Sequence, residues 1–186
     1  MNRKRRVLII GATGLIGAAI AARLQREGHL VTGLSRTQRP GAIDTRAFDI
    51  TKATKPENWG LLLTGVDVVV NCAGALQDGP GDDISAVHVD GPSALFRACE
   101  AAGVKRIIHF SAIGVDRAQP SEFSMTKNHA DEILRSSTLD WVILRPSVVI
   151  GRAAYGASAL FRGLAALPIL PLMPGTGKLQ VIQLDD

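Results

Sequence analysis

The sequence predicts an α/β fold in three layers, in which a doubly wound parallel sheet lies between helices. Strand-like and helix-like patterns alternate along the chain without an internal repeat, as in repeated βα units. The apolar run Val68-Val69-Val70 is typical of a parallel strand buried on both faces. A glycine-rich turn at 11–17 directly follows the apolar run Val7-Leu8-Ile9-Ile10, which indicates a first strand, a tight turn and a first helix.

The predicted elements follow one another through most of the chain. The first helix is expected from Gly14 to Glu27, because Ile16, Ile20 and Leu24 recur at i, i+4 and i+8 and form one buried stripe. Gly28 and Gly103 end the first and second helices, since glycine adopts a left-handed conformation at a helix C-terminus without steric cost. Strands are predicted at 7–10, 29–34, 45–48, 66–72, 104–110 and 141–144, and the later helices at 92–102 and 121–136.

The domain prediction is one nucleotide-binding domain at 1–150 and a short or truncated C-terminal substrate segment at 151–186. The chain has 186 residues and is 46% hydrophobic, which is ample for one core. The run Val181-Ile182-Gln183-Leu184-Asp185-Asp186 has the pattern of a strand cut as another element should begin. The segment 74–83 has the composition of a loop, with Gly74, Gly79, Pro80 and Gly81, and this loop could cover a ligand.

Charge and composition argue against several partners. The formal net charge is +4, and the basic run 3–6 alone supplies four positive charges. That run enters the first strand at its amino end, whereas ligands of doubly wound sheets bind at the carboxyl ends. The apolar stretch 157–173 contains Arg162, Gly163, Pro168 and Pro171, which make it a poor membrane span. We therefore expect no nucleic-acid partner and no membrane span in this chain.

The two cysteines form neither a disulfide pattern nor a metal-binding pattern. Cys72 ends an apolar strand, and Cys99 lies in an alanine-rich helix. We expect both to be small core residues, no metal site, and a cytoplasmic protein, since no signal peptide precedes the first strand.

The glycine-rich turn predicts a site for the pyrophosphate of a dinucleotide. Glycine lets the backbone turn sharply and approach phosphates with no Cβ in the way. The helix that follows offers unpaired N–H groups and a partial positive charge to the anion. We expect the turn and the first helical residues to line this site: Gly11, Thr13, Gly14, Leu15, Ile16 and Gly17.

Taken in order, the motifs resemble the short-chain dehydrogenase/reductase superfamily in its extended and atypical branches. The resemblance covers nearly the whole chain and is strongest to NmrA-like, complex-I-accessory-like and epimerase/dehydratase-like members. Besides the glycine turn, the matching motifs are Asp49-Ile50, Asn71-Cys72-Ala73-Gly74, the run 103–108 leading to Ser111, Lys127, Arg145-Pro146 with Gly151, and Gln183-Leu184-Asp185-Asp186.

The resemblance implies a nicotinamide dinucleotide in a Rossmann fold. By resemblance, backbone near the nicotinamide comes from the segment 145–148, which includes Pro146 and Val148. The adenosine half would lie against Asp49, Ile50, Cys72, Ala73 and Gly74. Three of these motifs have a structural alternative. The segment 72–74 could be a turn that ends a strand. Asp49 could cap a turn, because Thr51 follows it. Arg145 could form an ion pair at a sheet edge.

The end of the second strand favours NADP(H) over NAD(H). NAD-preferring sites carry an acidic residue there for the ribose 2′-hydroxyl, but this segment reads Gly33-Leu34-Ser35-Arg36-Thr37. Arg36 offers a fork of donors suited to a 2′-phosphate, and Ser35 adds a hydroxyl. Arg39 could assist. The alternative is that Arg36 is an ordinary solvated loop residue.

The catalytic candidates are Lys127 and Ser111, and the set is incomplete. The superfamily pairs a tyrosine, which exchanges a proton with the substrate oxygen, with a lysine four residues later that holds the nicotinamide ribose. Lys127 matches this lysine, but Phe123 stands where the tyrosine is expected, and phenylalanine cannot transfer a proton. The only tyrosine in the chain is Tyr155.

Two further positions also depart from the family pattern. Ile113 lies where extended members place their catalytic serine, and His88 lies where the family often has asparagine. An ordinary histidine in the core or on the surface is the alternative for His88.

Three functions are compatible with the sequence. The first is an oxidoreductase acting on a small carbonyl or alcohol substrate with a non-standard catalytic set. The second is a non-catalytic NADP(H)-binding sensor, assembly factor or regulatory protein, which Phe123 and Ile113 favour. The third is a nucleotide-sugar epimerase or dehydratase, although that chemistry usually needs the missing tyrosine. A homodimer is possible.

Overall fold

The computed structural model describes residues 3–38, 43–79, 83–118, 120–152, 156–169 and 180–186. The strands are β1 Arg6–Ile10, β2 Leu30–Ser35, β3 Asp44–Ala47, β4 Val68–Asn71, β5 Arg106–Phe110, β6 Trp141–Leu144, β7 Val148–Ile150 and β8 Val181–Gln183. The helices are α1 Leu15–Arg26, α2 Gly91–Ala102, α3 Glu122–Arg135 and α4 Gly156–Ala165. Shorter helical pieces are two 3₁₀ helices, Ile50–Lys52 and Pro56–Leu63, and a π-helical turn, Ala86–Asp90.

The main sheet has six parallel strands in the order β3-β2-β1-β4-β5-β6. The chain adds β2 and β3 on one side of β1 and then β4, β5 and β6 on the other. At such a reversal a crevice forms outside the carboxyl ends of the two central strands, and ligands bind there. The predicted doubly wound Rossmann fold is confirmed, and the crevice lies between β1 and β4.

Two apolar cores cover the two faces of this sheet. One contains Leu8, Leu34, Val69 and Ile107 from the strands together with Leu95 and other residues of α2 and α3. The other contains Val7, Ile9 and Val70 with Ala21 of α1. Neighbouring residues of β4 thus point to opposite cores, as predicted for a strand buried on both faces.

The buried face of α1 differs slightly from the predicted stripe. Ile20 and Leu24 pack against the core but are only half-buried, as is Ile16, whereas Gly17 and Ala21 are buried. Small residues lie closest to the sheet because α1 approaches the turn before it so tightly that an added Cβ on Gly17 would collide with the Gly11 carbonyl oxygen. The predicted helix ends are confirmed, since Gly28 and Gly103 have φ of +87° and +67°.

Several elements were not predicted from the sequence. The 3₁₀ helix Pro56–Leu63 places Trp59 fully inside the core, where its Nε1 donates to the Ala53 carbonyl at 3.0 Å and its ring lies 4.7 Å from that of Phe48. Strand β7 pairs in parallel with β8, which confirms a strand within 181–186.

No helix in the described ranges is long and apolar enough to cross a membrane.

The tight contact at Gly17 yields a stability prediction. We expect Gly17→Ala to lower the free energy of unfolding by about 1–3 kcal/mol, because the new methyl group must displace backbone rather than a flexible side chain. Gly60→Ala is the matched control, since an added Cβ there meets nothing within 4 Å. Urea unfolding measures both variants, and equal midpoints would contradict the close approach of α1.

Candidate cofactor and catalytic site

The glycine turn lies against the end of β4, inside the crevice. Gly11 has φ of +77°, and an added Cβ would lie 2.9 Å from the Cys72 carbonyl oxygen and 3.0 Å from the Ala73 nitrogen. The Gly14 N–H donates to the Gly11 carbonyl at 3.0 Å. Gly14 is also the N-cap of α1 and provides no side-chain cap, and the first turn of the helix holds no acidic residue. The first N–H groups of α1 are therefore available to an anion.

The C-terminal strand pair reaches this same helix end. An added Cβ at Gly151 would lie 2.9 Å from Leu184 Cδ2 and 3.3 Å from Leu15 Cδ1. The Leu184 N–H donates to the Ile150 carbonyl at 2.8 Å, which extends the β7–β8 ladder by one bond. The motifs at Gly151 and 183–186 thus meet the predicted pyrophosphate turn, although they are distant in sequence.

The end of β2 presents the residues predicted to select the cofactor. Ser35 is buried, and its Oγ donates to the Thr37 carbonyl at 2.6 Å. Arg36 follows it and is exposed at the carboxyl edge of the sheet. Arg39 lies outside the described residues.

Asp49 and Ile50 both have structural roles. The Asp49 carboxylate caps the 3₁₀ helix that follows, since its Oδ1 accepts from the Thr51 N–H at 3.1 Å and from the Thr51 hydroxyl at 2.8 Å. Ile50 is buried in the core. The alternative of a turn cap is therefore realised, and the contact of both residues with an adenine stays a prediction.

Lys127 lies between the ends of β4 and β5. Its Nζ donates to the Phe110 carbonyl at 2.9 Å and to the Ala73 carbonyl at 3.4 Å, and the side chain is buried. An added Cβ on Gly74 would approach Nζ to 3.4 Å, so the lysine reaches the segment 72–74 predicted to pass under the ribose. Burial lowers the pKa of Lys127 to about 8, while the nearby Asp131 carboxylate acts in the opposite direction.

His88 is a buried histidine beside Lys127 and Phe123. Its Nε2 accepts from the Ala75 N–H at 3.2 Å, so Nδ1 carries the proton and donates to the Thr126 hydroxyl oxygen 2.9 Å away. The Phe123 ring packs edge-on against the imidazole with centroids 5.3 Å apart. Burial, reinforced by the Lys127 charge, lowers the pKa of His88 to about 3, so this histidine is neutral at physiological pH.

Asp131 is the site residue that sequence reasoning missed. It is fully buried, and its Oδ2 accepts from the Ser111 hydroxyl at 2.9 Å and from Arg145 Nε and Nη2 at 3.0 and 2.8 Å. The available signal was its spacing, since Phe123, Lys127 and Asp131 recur every fourth residue on α3. The ion pair considered for Arg145 is thus present, with Asp131 and with Asp116.

The remaining residues singled out in the sequence lie in more varied environments. The Ile113 N–H donates to the Pro146 carbonyl at 3.0 Å, and the Ile113 side chain is exposed. Val148 begins β7. Tyr155 lies outside the described residues. Cys99 is buried as expected, but Cys72 is only half-buried because it follows the last residue of β4. Burial raises the pKa of both thiols to about 12.

Comparison with known proteins identifies the family. A family model described as NAD(P)H-binding matches residues 11–163. The chain therefore belongs to this NAD(P)H-binding family. The resemblance drawn from the motifs is confirmed.

Several curated proteins are similar to most of this chain. An uncharacterized protein of Mycobacterium tuberculosis is 32% identical over 97% of the chain and 19% of its own length. A ceramide reductase of Caulobacter vibrioides is 26% identical over 97% of the chain and 57% of its own length. The photosystem II assembly factor Ycf39 of a Synechocystis species is 29% identical over 75% of the chain and 44% of its own length. The chain thus spans only part of each relative.

The fold is also found among solved structures. The Bordetella bronchiseptica enzyme WbmH in complex with NAD⁺ superimposes with a TM-score of 0.71 and 21% identity, over 88% of this chain and 63% of that one. At this identity the similarity establishes the fold alone.

Lys127 gives stability a defined dependence on pH. Its folded pKa of about 8 is below the ordinary value of 10.5, so the unfolded state binds this proton more tightly. The destabilisation is complete below pH 8 and disappears as pH rises towards 10.5. We expect Lys127→Met to exceed the wild type in stability at neutral pH by on the order of 1 kcal/mol. This advantage should shrink above pH 8.

Urea unfolding across this pH range measures the difference between variant and wild type. Both cysteines are present in the wild type and in the variant, so most of the effect of their titration cancels in the difference. Lys105→Met is the control, because Lys105 is exposed and pairs with Asp67 at 3.5 Å. A difference for Lys127→Met that does not change with pH would show that the ammonium is not held as described.

Proposed function

We propose that this protein binds NADP(H) in preference to NAD(H) and is an oxidoreductase for a small carbonyl or alcohol substrate. The main observation in support of this proposal is the position of Lys127. Its ammonium is buried between the carbonyls of Ala73 and Phe110, at the carboxyl ends of β4 and β5. That is where a lysine can hold the hydroxyls of a ribose lying across the crevice.

The residues present fit a dinucleotide. At Gly11 and Gly17 the space of a Cβ is filled by backbone, so the turn can offer N–H groups at close range. The uncapped start of α1 favours the negative charge of a pyrophosphate. Arg36, at the end of β2, is suited to a 2′-phosphate. When bound, the nicotinamide supplies or accepts a hydride.

Lys127, Ser111 and Phe123 would each have a different role beside the bound cofactor. Lys127 orients the nicotinamide ribose, and Ser111 lies near the substrate oxygen. The Ser111 hydrogen is directed to Asp131, so its hydroxyl oxygen can accept a hydrogen bond from the hydroxyl of an alcohol substrate but cannot donate one to a carbonyl oxygen. Phe123 packs edge-on against His88 but cannot transfer a proton. The proton therefore comes from a group other than the family tyrosine.

The second candidate is a nucleotide-binding protein without turnover. Phe123 favours it directly, because this side chain replaces the proton donor while the lysine and the glycine turn are kept. The similarity to an assembly factor, Ycf39, is in line with such a role. A test of turnover separates the two candidates.

Cofactor preference is the first test. We expect NADPH to bind about tenfold or more tightly than NADH, because a guanidinium and a phosphate form charge-assisted hydrogen bonds. Arg36→Ala should remove most of this difference. Arg106→Ala serves as the control, since Arg106 lies at the amino end of β5 and pairs with Asp140. Fluorescence titration of the three proteins with both cofactors measures six affinities, and equal wild-type affinities would overturn the NADP(H) preference.

Phe123→Tyr is the second test. A tyrosine at this position adds a hydroxyl one helical turn before Lys127, and a positioned proton donor accelerates such reactions about 10²–10⁴-fold. We therefore expect NADPH oxidation with a panel of aldehydes and ketones to be slow in the wild type and much faster in the variant. Phe123→Leu is the control without a hydroxyl.

The same assay distinguishes the alternatives. A wild type that binds NADPH but oxidises it with no compound of the panel supports the binding protein. Turnover should survive Tyr155→Phe, and its loss in that variant would identify Tyr155 as the proton donor.

A further inference from the structure

Asp131 connects three segments that surround the proposed nicotinamide half of the site. It lies on α3, one helical turn beyond Lys127. The Ser111 hydroxyl, which comes directly after β5, and the Arg145 guanidinium, directly after β6, both donate to its Oδ2. One buried oxygen atom thus accepts three hydrogen bonds from the ends of two adjacent strands.

Arg145 extends this connection towards the substrate side. Its Nη1 donates to Asp116 Oδ2 at 2.8 Å, and its Nη2 also contacts Asn128 Oδ1 at 3.3 Å. Pro146 follows it directly, and its carbonyl accepts from the Ile113 N–H. The position of Arg145 therefore fixes the start of the segment 145–148.

The other oxygen of Asp131 faces a second buried group. Asn71 Oδ1 accepts from the Ala73 N–H at 3.1 Å, so its Nδ2 donates to His109 Nδ1 at 3.1 Å. The proton of His109 is therefore on Nε2, which lies 3.8 Å from Asp131 Oδ1. Neither of these two atoms has a hydrogen-bond partner within the described residues, although both are buried. Buried polar groups rarely remain unpaired in this way.

We propose that Asp131 is a positioning residue for the cofactor site. With the buried side chains of Asn71 and His109 and the half-buried Arg145, it forms a polar row beneath the ends of β4, β5 and β6. The row holds those strand ends in place and provides the fixed negative charge opposite Lys127. This inference rests on the proposed function, because the segments that it aligns are those assigned to the nicotinamide half.

The effect of the Asp131 charge on the pKa of Lys127 can be measured without cofactor. The groups that face or influence Lys127 are Asp131 on its own helix, Cys72 after β4, His88 of the π-helical turn and His109 of β5. The two histidines are neutral because burial lowers their pKa, and the Cys72 thiol keeps its proton. Asp131 is therefore the one anion among these groups.

Asp131→Asn is the principal variant, because it keeps the shape and removes the charge. In the full chain labelled with ¹³C-lysine, NMR titration gives the pKa of Lys127, and Lys127→Met assigns its signal. We expect the pKa of Lys127 to fall in Asp131→Asn and to return towards the wild-type value in Asp131→Glu. Glu132→Gln is the matched control, since it removes an exposed carboxylate from the next position of α3.

A second variant gives the opposite sign and guards against misfolding. Arg145→Gln removes the cation that competes for Asp131, so the pKa of Lys127 should rise above the wild-type value. A purely structural role for Asp131 does not predict opposite shifts. An unchanged pKa of Lys127 in folded Asp131→Asn, or a fall in Arg145→Gln, would overturn the proposal.

Cofactor titration completes the test. We expect Asp131→Asn to weaken NADPH binding about tenfold at pH 8, where Lys127 loses its proton, and clearly less at pH 6. A loss of affinity that is equal at both pH values would contradict the charge relation. If the wild type binds no NADPH, the proposed function fails, while the NMR shifts still decide the role of Asp131.

Discussion

The close approach of α1 to the turn before it is the constraint on which the rest of the site depends. Backbone atoms of the turn occupy the space that a side chain on Gly17 would need, and backbone atoms of Cys72 and Ala73 occupy the space at Gly11. This contact brings the first N–H groups of α1 next to the end of β4. Because β1 and β4 are neighbours at the point where the strand order reverses, this contact lies at the crevice between them.

Helical periodicity explains how the surroundings of Lys127 are organised. Phe123, Lys127 and Asp131 share one face of α3, and this face is turned towards the ends of β4 and β5. One residue contacts the neutral histidine, the next presents a cation, and the third presents a buried anion. This helix face thus carries a charged pair next to an apolar ring, which cannot exchange a proton.

The fold could be predicted well from local patterns. Apolar runs such as Val68-Val69-Val70 and stops such as Gly28 and Gly103 are local signals, and the structure has strands and helix ends there. The 3₁₀ helix around Trp59 was missed because its burial depends on Phe48 and Ala53, which the sequence alone does not bring together. Strand β7 was missed because three residues give too short a pattern, and its partner lies some thirty residues further along.

The candidate site could be predicted only where its residues belong to a local motif. The turn and Lys127 belong to contiguous motifs, so their residues could be named in advance. The bonds of Asp131 to Ser111 and Arg145 join residues that are 20 and 14 positions apart, and no local pattern indicates them. His88 required tertiary structure as well, since only its contacts with Ala75 and Thr126 determine which ring nitrogen carries the proton.

The placement of the two tryptophans has an optical consequence. Trp59 is enclosed in the core with its indole N–H bonded to a carbonyl, whereas Trp141 is partly exposed at the edge strand β6. An enclosed indole emits at shorter wavelength than a hydrated one and is less accessible to a dissolved quencher. The intrinsic fluorescence of the protein should therefore contain two separable components, one sensitive to the packing of the core and one to whatever covers the open edge of the sheet.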